Sequence, residues 1–119
     1  MDYEAILNEA HKAAEAAVIL ASMEYDEMRG ACGFAWVVIS GSEGLARYCR
    51  KQLADVKALG GDVSKMRSFG AKGYPKGWHF WNPGNHPGQR VDIKEAGAKA
   101  FRDKLGEYGI RADSASRLD

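Results

Sequence analysis

The part of the sequence best suited to bind a ligand is a stretch rich in cations and aromatic rings. No acidic residue lies between Asp62 and Asp92. That stretch holds the basic residues Lys65, Arg67, Lys72, Lys76 and Arg90, and the aromatic residues Phe69, Tyr74, Trp78, Phe80 and Trp81. A local field of one sign attracts anions even though the net charge of the chain is only +1. The composition therefore favours a ligand that carries phosphate groups.

Residues 76–83, KGWHFWNP, partly resemble the third-strand signature of RNA-recognition motifs, K/R-G-F/Y-G/A-F-V-x-F/Y. The matching positions are Lys76, Gly77 and Phe80, with Trp78 as an aromatic replacement, whereas His79, Trp81 and Pro83 depart from the signature. Proteins of that class stack bases on rings from their two central strands. Residues 70–73, GAKG, also fit the GXXG clamp of KH domains, in a segment whose composition predicts a loop.

Catalytic and metal chemistry finds little support in the residue pattern. The sequence contains neither GxSxG nor HExxH. His79 or His86 could act as an acid or base with Asp92, but His86 lies in the Pro- and Gly-rich stretch 82–89, which is typical of a solvated connector. The candidate metal ligands Cys32, Cys49, His79 and His86 lack the spacing of a structural zinc site. We therefore predict no catalytic residue, no metal and no cofactor.

Hydrophobic periodicity predicts the elements that would position the basic and aromatic residues. The predicted helices are 3–28, 42–59 and 92–108, the predicted strands are 33–40, 63–69, 77–81 and 110–116, and the predicted loops are 70–77 and 82–89. The strands 33–40 and 77–81 are the most apolar, so we place them side by side at the centre of a sheet. Gly and Pro punctuate the boundaries, as they do at turns and helix ends.

The order of these elements predicts an α+β fold: an N-terminal helix followed by a ferredoxin-like βαββαβ sandwich with a four-stranded antiparallel sheet. Its 119 residues fit a single domain. Within it, the helical segment 1–29 has seven acids and two bases, a net charge of −5, and the α+β core 30–119 has nine acids and fifteen bases, a net charge of +6. The core is therefore the more basic part of the chain.

Alternation along the two central strands predicts an aromatic platform. Phe34 and Trp36 share one face of the first central strand, and Trp78 and Phe80 share one face of the second. If the registers match, the four rings lie together on the side away from the two later helices. A competing interpretation is that helix 3–28 covers this face, so that the rings form a second core layer. A homodimer through the same face is a further alternative.

Bulk features bear on the location of the protein in the cell. The longest apolar run, residues 34–39, is far too short to cross a bilayer. The first residues are acidic and lack the basic start of a secretion signal, which favours the cytoplasm. Two cysteines do not make a disulfide scaffold, and we expect both Cys32 and Cys49 to be buried free thiols.

Several stretches are similar to those of small proteins encoded by bacteriophages and prophages. These are CGFAWVVISG (32–41), GYPKGWHFWNPG (73–84), GQRVDIKEAGAKAFRDKLGEYGI (88–110) and SRLD (116–119). The resemblance covers most of the chain after residue 31. It implies a phage-encoded origin and a role inside a bacterium, and it supplies neither a catalytic residue nor a ligand.

The leading hypothesis from the sequence is a non-enzymatic binding protein for nucleic acid or a phosphorylated small molecule. The candidate ligand-binding residues are Phe34, Trp36, Lys72, Tyr74, Lys76, Trp78, Phe80, His86 and Arg90. One alternative is a protein–protein module that docks on a host protein through its acidic helix or its C-terminal edge strand. Others are a homo-oligomeric structural protein and an enzyme that uses His79 or His86.

Overall fold

A computed structural model describes all 119 residues of the chain. Its helices are α1 (Tyr3–Glu24), α2 (Gly44–Ala58) and α3 (Val91–Glu107), and its strands are β1 (Gly33–Ile39), β2 (Ala71–Gly73), β3 (Gly77–Trp81) and β4 (Ala112–Leu118). Two single 3₁₀ turns, Val63–Lys65 and Arg67–Phe69, lie between α2 and β2. The prediction of an α+β fold with an N-terminal helix is confirmed. A helix that could span a bilayer is absent from the structure.

The four strands form one sheet in the order β2-β3-β1-β4, and every neighbouring pair is antiparallel. The prediction that β1 and β3 lie side by side at the centre is confirmed. Seven residues of β4 pair with β1, whereas only three residues of β2 pair with β3. The sheet therefore has one long edge strand, β4, and one short edge strand, β2.

All three helices contribute to one core on the same face of the sheet. The cluster combines Ile6, Leu7, Ala10 and Ala14 of α1, Leu45, Ala46 and Cys49 of α2, and Ala98, Phe101 and Leu105 of α3 with Ala35, Val37, Ile39, Trp78 and Phe80 of the sheet. Its α1 members recur at helical spacing, so one stripe of that helix packs into this core, chiefly against α3. The interpretation in which the first helix covers the opposite face is therefore wrong.

The segment between α2 and β3 differs from the sequence-based prediction. Residues 63–69 form two 3₁₀ turns rather than a strand, and the edge strand lies later, in 71–73, where a loop was expected. Asp62 stabilises the first turn, because its carboxylate accepts a hydrogen bond from Ser64 N at 3.0 Å. Phe69 O accepts a hydrogen bond from Trp78 Nε1 at 2.8 Å, which ties the second turn to β3. The GXXG segment is therefore the edge strand and its entrance, not a free loop.

Candidate functional site

The register between β1 and β3 decides which rings share a face. Residues directly opposite each other in an antiparallel pair lie on the same face. Trp36 lies opposite Trp81, Val37 opposite Phe80, and Ile39 opposite Trp78. Trp81 therefore joins Trp36 on the face that the helices leave open, while Trp78 and Phe80 point into the core, where they are 5% and 1% exposed.

The predicted platform is therefore wrong in its β3 half. The sequence gives the alternation within each strand, but it does not give the pairing between strands. The observed register matches even-numbered residues of β1 with odd-numbered residues of β3. A shift of one residue in the pairing register exchanges the two faces of a strand. The open face therefore carries His79 and Trp81 of β3 instead of Trp78 and Phe80.

The open face carries a cluster of three rings, Phe34, Trp36 and Trp81, which we call the open-face rings. The centroids of Trp36 and Trp81 are 5.4 Å apart with 13° between their planes, and those of Phe34 and Trp81 are also 5.4 Å apart. Trp81 is 44% exposed, and the other two rings are partly buried. Trp36 Nε1 has no hydrogen-bond acceptor within the protein. The cluster is therefore preorganised, with Trp81 as its most accessible member.

Cations flank the open-face rings on both sides. Arg117 of β4 lies opposite Phe34, with its guanidinium carbon 5.6 Å from the centroid of that ring. On the other side, Arg67 lines two adjoining grooves of about 320 and 360 Å³, and Trp81 lines both of them. Neither arginine forms a salt bridge. The carboxylates nearby are Asp113, which follows the same face of β4, and Glu15, which lines the smaller groove.

Three of the predicted ligand-binding residues meet elsewhere, on the helix side of the sheet. Lys72, Lys76 and Trp78 line a cleft of about 600 Å³, which we call the basic cleft. Its other lining residues are Ser40, Gly41, Ser42, Arg50 and Gly77. The guanidinium carbon of Arg50 lies 5.6 Å from the centroid of Trp78. No carboxylate lines the cleft, and none of its three cations forms a salt bridge.

The structure thus places six of the nine predicted residues on two surfaces, while Phe80 is buried in the core and His86 and Arg90 lie elsewhere. Phe34 and Trp36 lie on the open face, and Lys72 and Lys76 lie at the basic cleft. Tyr74 is 94% exposed in the turn between β2 and β3, and it lines the larger groove beside Trp81. Sequence reasoning missed Arg50, because its place beside Trp78 depends on how α2 packs on the sheet.

No protein-family model, no curated protein and no solved structure matches this chain. The open face and the basic cleft are therefore the features from which a function can be inferred.

The cysteines are separate and unpaired. Cys49 is buried in the core, and burial raises the pKa of its thiol to about 12. Cys32 is exposed, contrary to the expectation of two buried thiols. Its position just before β1, where chain ends and loops meet, explains the exposure. No group of three or more histidine, cysteine and carboxylate side chains is arranged to hold a metal ion.

His86 and Arg90 are held by a carboxylate that joins the segment after α1 to the loop before α3. Glu27 accepts hydrogen bonds from Arg90 N and from His86 Nε2, each at 3.0 Å. The guanidinium of Arg90 donates to Asp92 at 2.6 Å and lies over the Tyr25 ring at 4.6 Å. Both predicted site residues thus have partners within the protein, and these partners anchor the loop that follows Trp81.

We expect the Glu27 anchor to make stability depend on pH. Burial raises the pKa of Glu27, but hydrogen bonds from Arg90 N, His86 and Gln89 N outweigh it and hold the pKa below its ordinary value of 4.5. A carboxylate whose pKa is lowered by folding stabilises the folded state. This stabilisation is present above the unfolded-state pKa and is lost as the pH falls through the folded-state pKa. Glu27→Gln should therefore lower the free energy of unfolding by about 1 kcal/mol at neutral pH, and by less at pH values below the ordinary pKa.

Urea denaturation of the wild type and of Glu27→Gln, at neutral pH and at one pH below the ordinary pKa of Glu27, checks this expectation. Glu24→Gln, at the exposed end of α1, is the matched control and should not alter stability at either pH. A difference between Glu27→Gln and the wild type that grows on acidification would contradict the role given to this carboxylate.

Proposed function

We propose that this protein is a non-enzymatic binding protein that engages single-stranded nucleic acid on the open face of its sheet. The observation that carries the proposal is the register that places Phe34, Trp36 and Trp81 together on the face without helices. Every base has a flat π-face, so exposed rings bind single strands with little sequence preference, at about 1–3 kcal/mol per stacked base. Trp81, the most exposed of the three, is the principal stacking residue.

The cations around the rings suit the backbone of such a strand. Arg117 and Arg67 lie on opposite sides of the open-face rings, so a strand crossing the rings meets a guanidinium at each side. Neither is neutralised by a salt bridge within the protein. Phosphate contacts release counterions, so binding should weaken as salt rises. Asp113 lies on the same face and would limit the affinity.

Anisotropy titrations of a labelled single-stranded oligonucleotide at low salt test the proposal. Trp81→Ala should raise the dissociation constant about tenfold, because one stacked base is lost, whereas Trp81→Phe should retain most of the affinity. Tyr108→Ala is the matched control, since it removes a partly exposed ring at the end of α3, within the helical layer. Binding that is absent at tens of micromolar protein, or that is the same for Trp81→Ala and the wild type, would contradict the proposal.

We further propose that the sandwich is ferredoxin-like. Reading the sheet from its long edge gives β4-β1-β3-β2, with the two central strands and the antiparallel pairing that a βαββαβ unit of this kind requires. The N-terminal helix α1 is an addition to that layout, and it contributes to the same core as α2 and α3.

A phage-encoded origin remains a proposal that rests on the sequence resemblance of residues 32–41, 73–84, 88–110 and 116–119 alone.

A second candidate ligand is a phosphorylated small molecule in the basic cleft. Three unpaired cations and two serine hydroxyls line a space of about 600 Å³ without any carboxylate. Ser40 Oγ already accepts a hydrogen bond from Ser42 N at 3.2 Å, so the β1–α2 loop is ordered beside the cations. Guanidinium and ammonium groups that converge without acidic neighbours favour phosphate esters. This surface lies across the sheet from the open-face rings.

Calorimetric titration with pyrophosphate tests the basic cleft. The double variant Lys72→Ala/Lys76→Ala should weaken binding at least about tenfold, because it removes two of the three cations. Lys57→Ala, which removes an exposed lysine near the end of α2 and outside the cleft, is the control for loss of a surface lysine and should bind like the wild type. No saturable heat at millimolar pyrophosphate, or equal binding by the double variant, would exclude this ligand class.

A further inference from the structure

The long edge strand β4 has hydrogen-bonding groups that no part of the chain uses. Asp119 N donates to Cys32 O at 3.0 Å, in line with the register that pairs Arg117 with Phe34 and Ala115 with Trp36. Backbone groups alternate between the two sides of a strand, so Arg117, Ala115 and Asp113 direct theirs toward β1. The backbone groups of Ala112, Ser114, Ser116 and Leu118 then point away from the sheet.

We propose that β4 pairs antiparallel with β4 of a second copy, about a two-fold axis at Ala115, to give a continuous eight-stranded sheet. With this centre, Ser114 lies opposite Ser116 of the second copy, and both direct their backbone groups into the new junction. These residues therefore form the narrow hydrogen-bonded pairs of the ladder. Asp113 lies opposite Arg117 of the second copy, in a pair that exchanges no backbone hydrogen bonds. Opposed side chains come closest in pairs of this kind.

The charges of β4 match only in this register. Asp113 and Arg117 follow the open face together with Ala115, and neither forms a salt bridge within the chain. Centring the pair on Asp113 or on Arg117 would place like charges opposite each other, which is unfavourable. Charged residues on an edge strand usually discourage pairing with other chains. Here they discourage foreign strands and other registers while favouring a second copy of this strand.

On the helix face of the same junction, opposite charges also face each other. Ser114 Oγ accepts a hydrogen bond from Arg102 Nη1 at 2.9 Å, and Ser116 Oγ donates to Glu95 Oε2 at 2.7 Å. Because Ser114 meets Ser116 of the second copy, Arg102 is brought beside Glu95 of that copy. The pair between Arg102 and Asp103 is largely exposed, so it competes weakly. Two independent charge pairs, each occurring twice, thus converge on one two-fold axis.

The symmetry sets the arrangement of the two open faces. A two-fold axis through a continuous sheet runs perpendicular to it, so the open-face rings of both copies lie on the same side and all helices on the other. If the nucleic-acid proposal holds, a single strand could cross both sets of rings in one dimer, with Arg67 of each copy as the free guanidinium, because Arg117 is then paired with Asp113 of the second copy. The dimer itself does not depend on that proposal, and its test contains no nucleic acid.

Sedimentation equilibrium of the full chain tests the pairing through a charge swap. The wild type should be dimeric at about 100 μM, and Asp113→Arg or Arg117→Asp alone should raise the dimer dissociation constant about tenfold or more, because like charges then face each other twice. The double variant Asp113→Arg/Arg117→Asp should recover the dimer. An equimolar mixture of the two single variants should also form a heterodimer, since every opposed pair then has opposite signs.

Circular dichroism checks that each variant keeps the fold. The double variant shows whether a loss of dimerisation comes from charge rather than from misfolding. A wild type that stays monomeric at that concentration would overturn the proposal. So would a dimer that is unaffected by the single variants, because it would form through another surface, such as the open-face rings. Failure of the mixture to associate while the double variant dimerises would exclude the register at Ala115.

Discussion

Replacing Phe80 with alanine is expected to lower the free energy of unfolding by about 3–5 kcal/mol. The Phe80 side chain is 1% exposed, and its ring centroid lies 5.0 Å from that of Phe101, at the junction of the sheet with α3. Truncation would remove buried apolar surface and leave a cavity that well-packed neighbours fill only in part. Urea denaturation at neutral pH, with the wild type measured alongside, gives the difference.

The neighbouring residue provides the matched control for this prediction. Trp81→Ala removes a larger ring from the adjacent position on the opposite face, yet it should cost only about 1 kcal/mol, mostly from lost stacking on Trp36. If Trp81→Ala were as destabilising as Phe80→Ala, the two faces of β3 would have been assigned incorrectly. The comparison therefore tests the register on which the open face depends.

Gly97→Ala is expected to destabilise the protein by about 1–3 kcal/mol, although alanine is the better helix former. At Gly97, α3 approaches the loop after β3 and helix α1. A Cβ atom at this position would lie 2.9 Å from Val18 Cγ2 and 3.1 Å from Gly84 Cα. Val18 is β-branched and buried, and Gly84 contributes backbone, so neither yields without a shift of the surrounding elements.

Gly106→Ala, in the last turn of the same helix, is the control for that substitution. No atom lies within 4 Å of the position that its Cβ would occupy. We expect this change to be neutral or to stabilise the protein by up to about 1 kcal/mol, because alanine loses less backbone entropy in a helix. Thermal unfolding of both variants separates packing from helix propensity. Equal effects of the two changes would contradict the close approach at Gly97.

The helices and the central strands could be predicted from local patterns. β1 and β3 combine β-branched and aromatic residues in short apolar runs, and both lie where the sequence places them. The helix α1 was expected to continue to residue 28 but ends at Glu24, where Tyr25 turns to an extended conformation. Periodicity alone places the ends of a helix poorly, because the last turn depends on tertiary contacts. Here the anchor formed by Glu27 follows directly after that end.

The face of each ring could not be predicted from the sequence. Alternation within β3 identifies Trp78 and Phe80 as one pair and His79 and Trp81 as the other, but only the pairing with β1 decides which pair is buried. The site of α1 was equally undetermined, because a stripe of small apolar residues packs on either face of a sheet. The open face expected from the sequence therefore exists, but it presents Trp81 instead of Trp78 and Phe80.

The NMR signals of the indole N–H groups, followed during titration with a single-stranded oligonucleotide, show whether the open face binds nucleic acid. The chain has three tryptophans, so three indole signals are expected, and point variants assign them. Trp78 Nε1 donates a hydrogen bond of 2.8 Å to Phe69 O on the buried side of the sheet. We predict that the Trp36 and Trp81 signals move as the oligonucleotide binds while the Trp78 signal stays. Movement of the Trp78 signal alone, or no movement of any signal at saturating oligonucleotide, would contradict a binding surface on the open face.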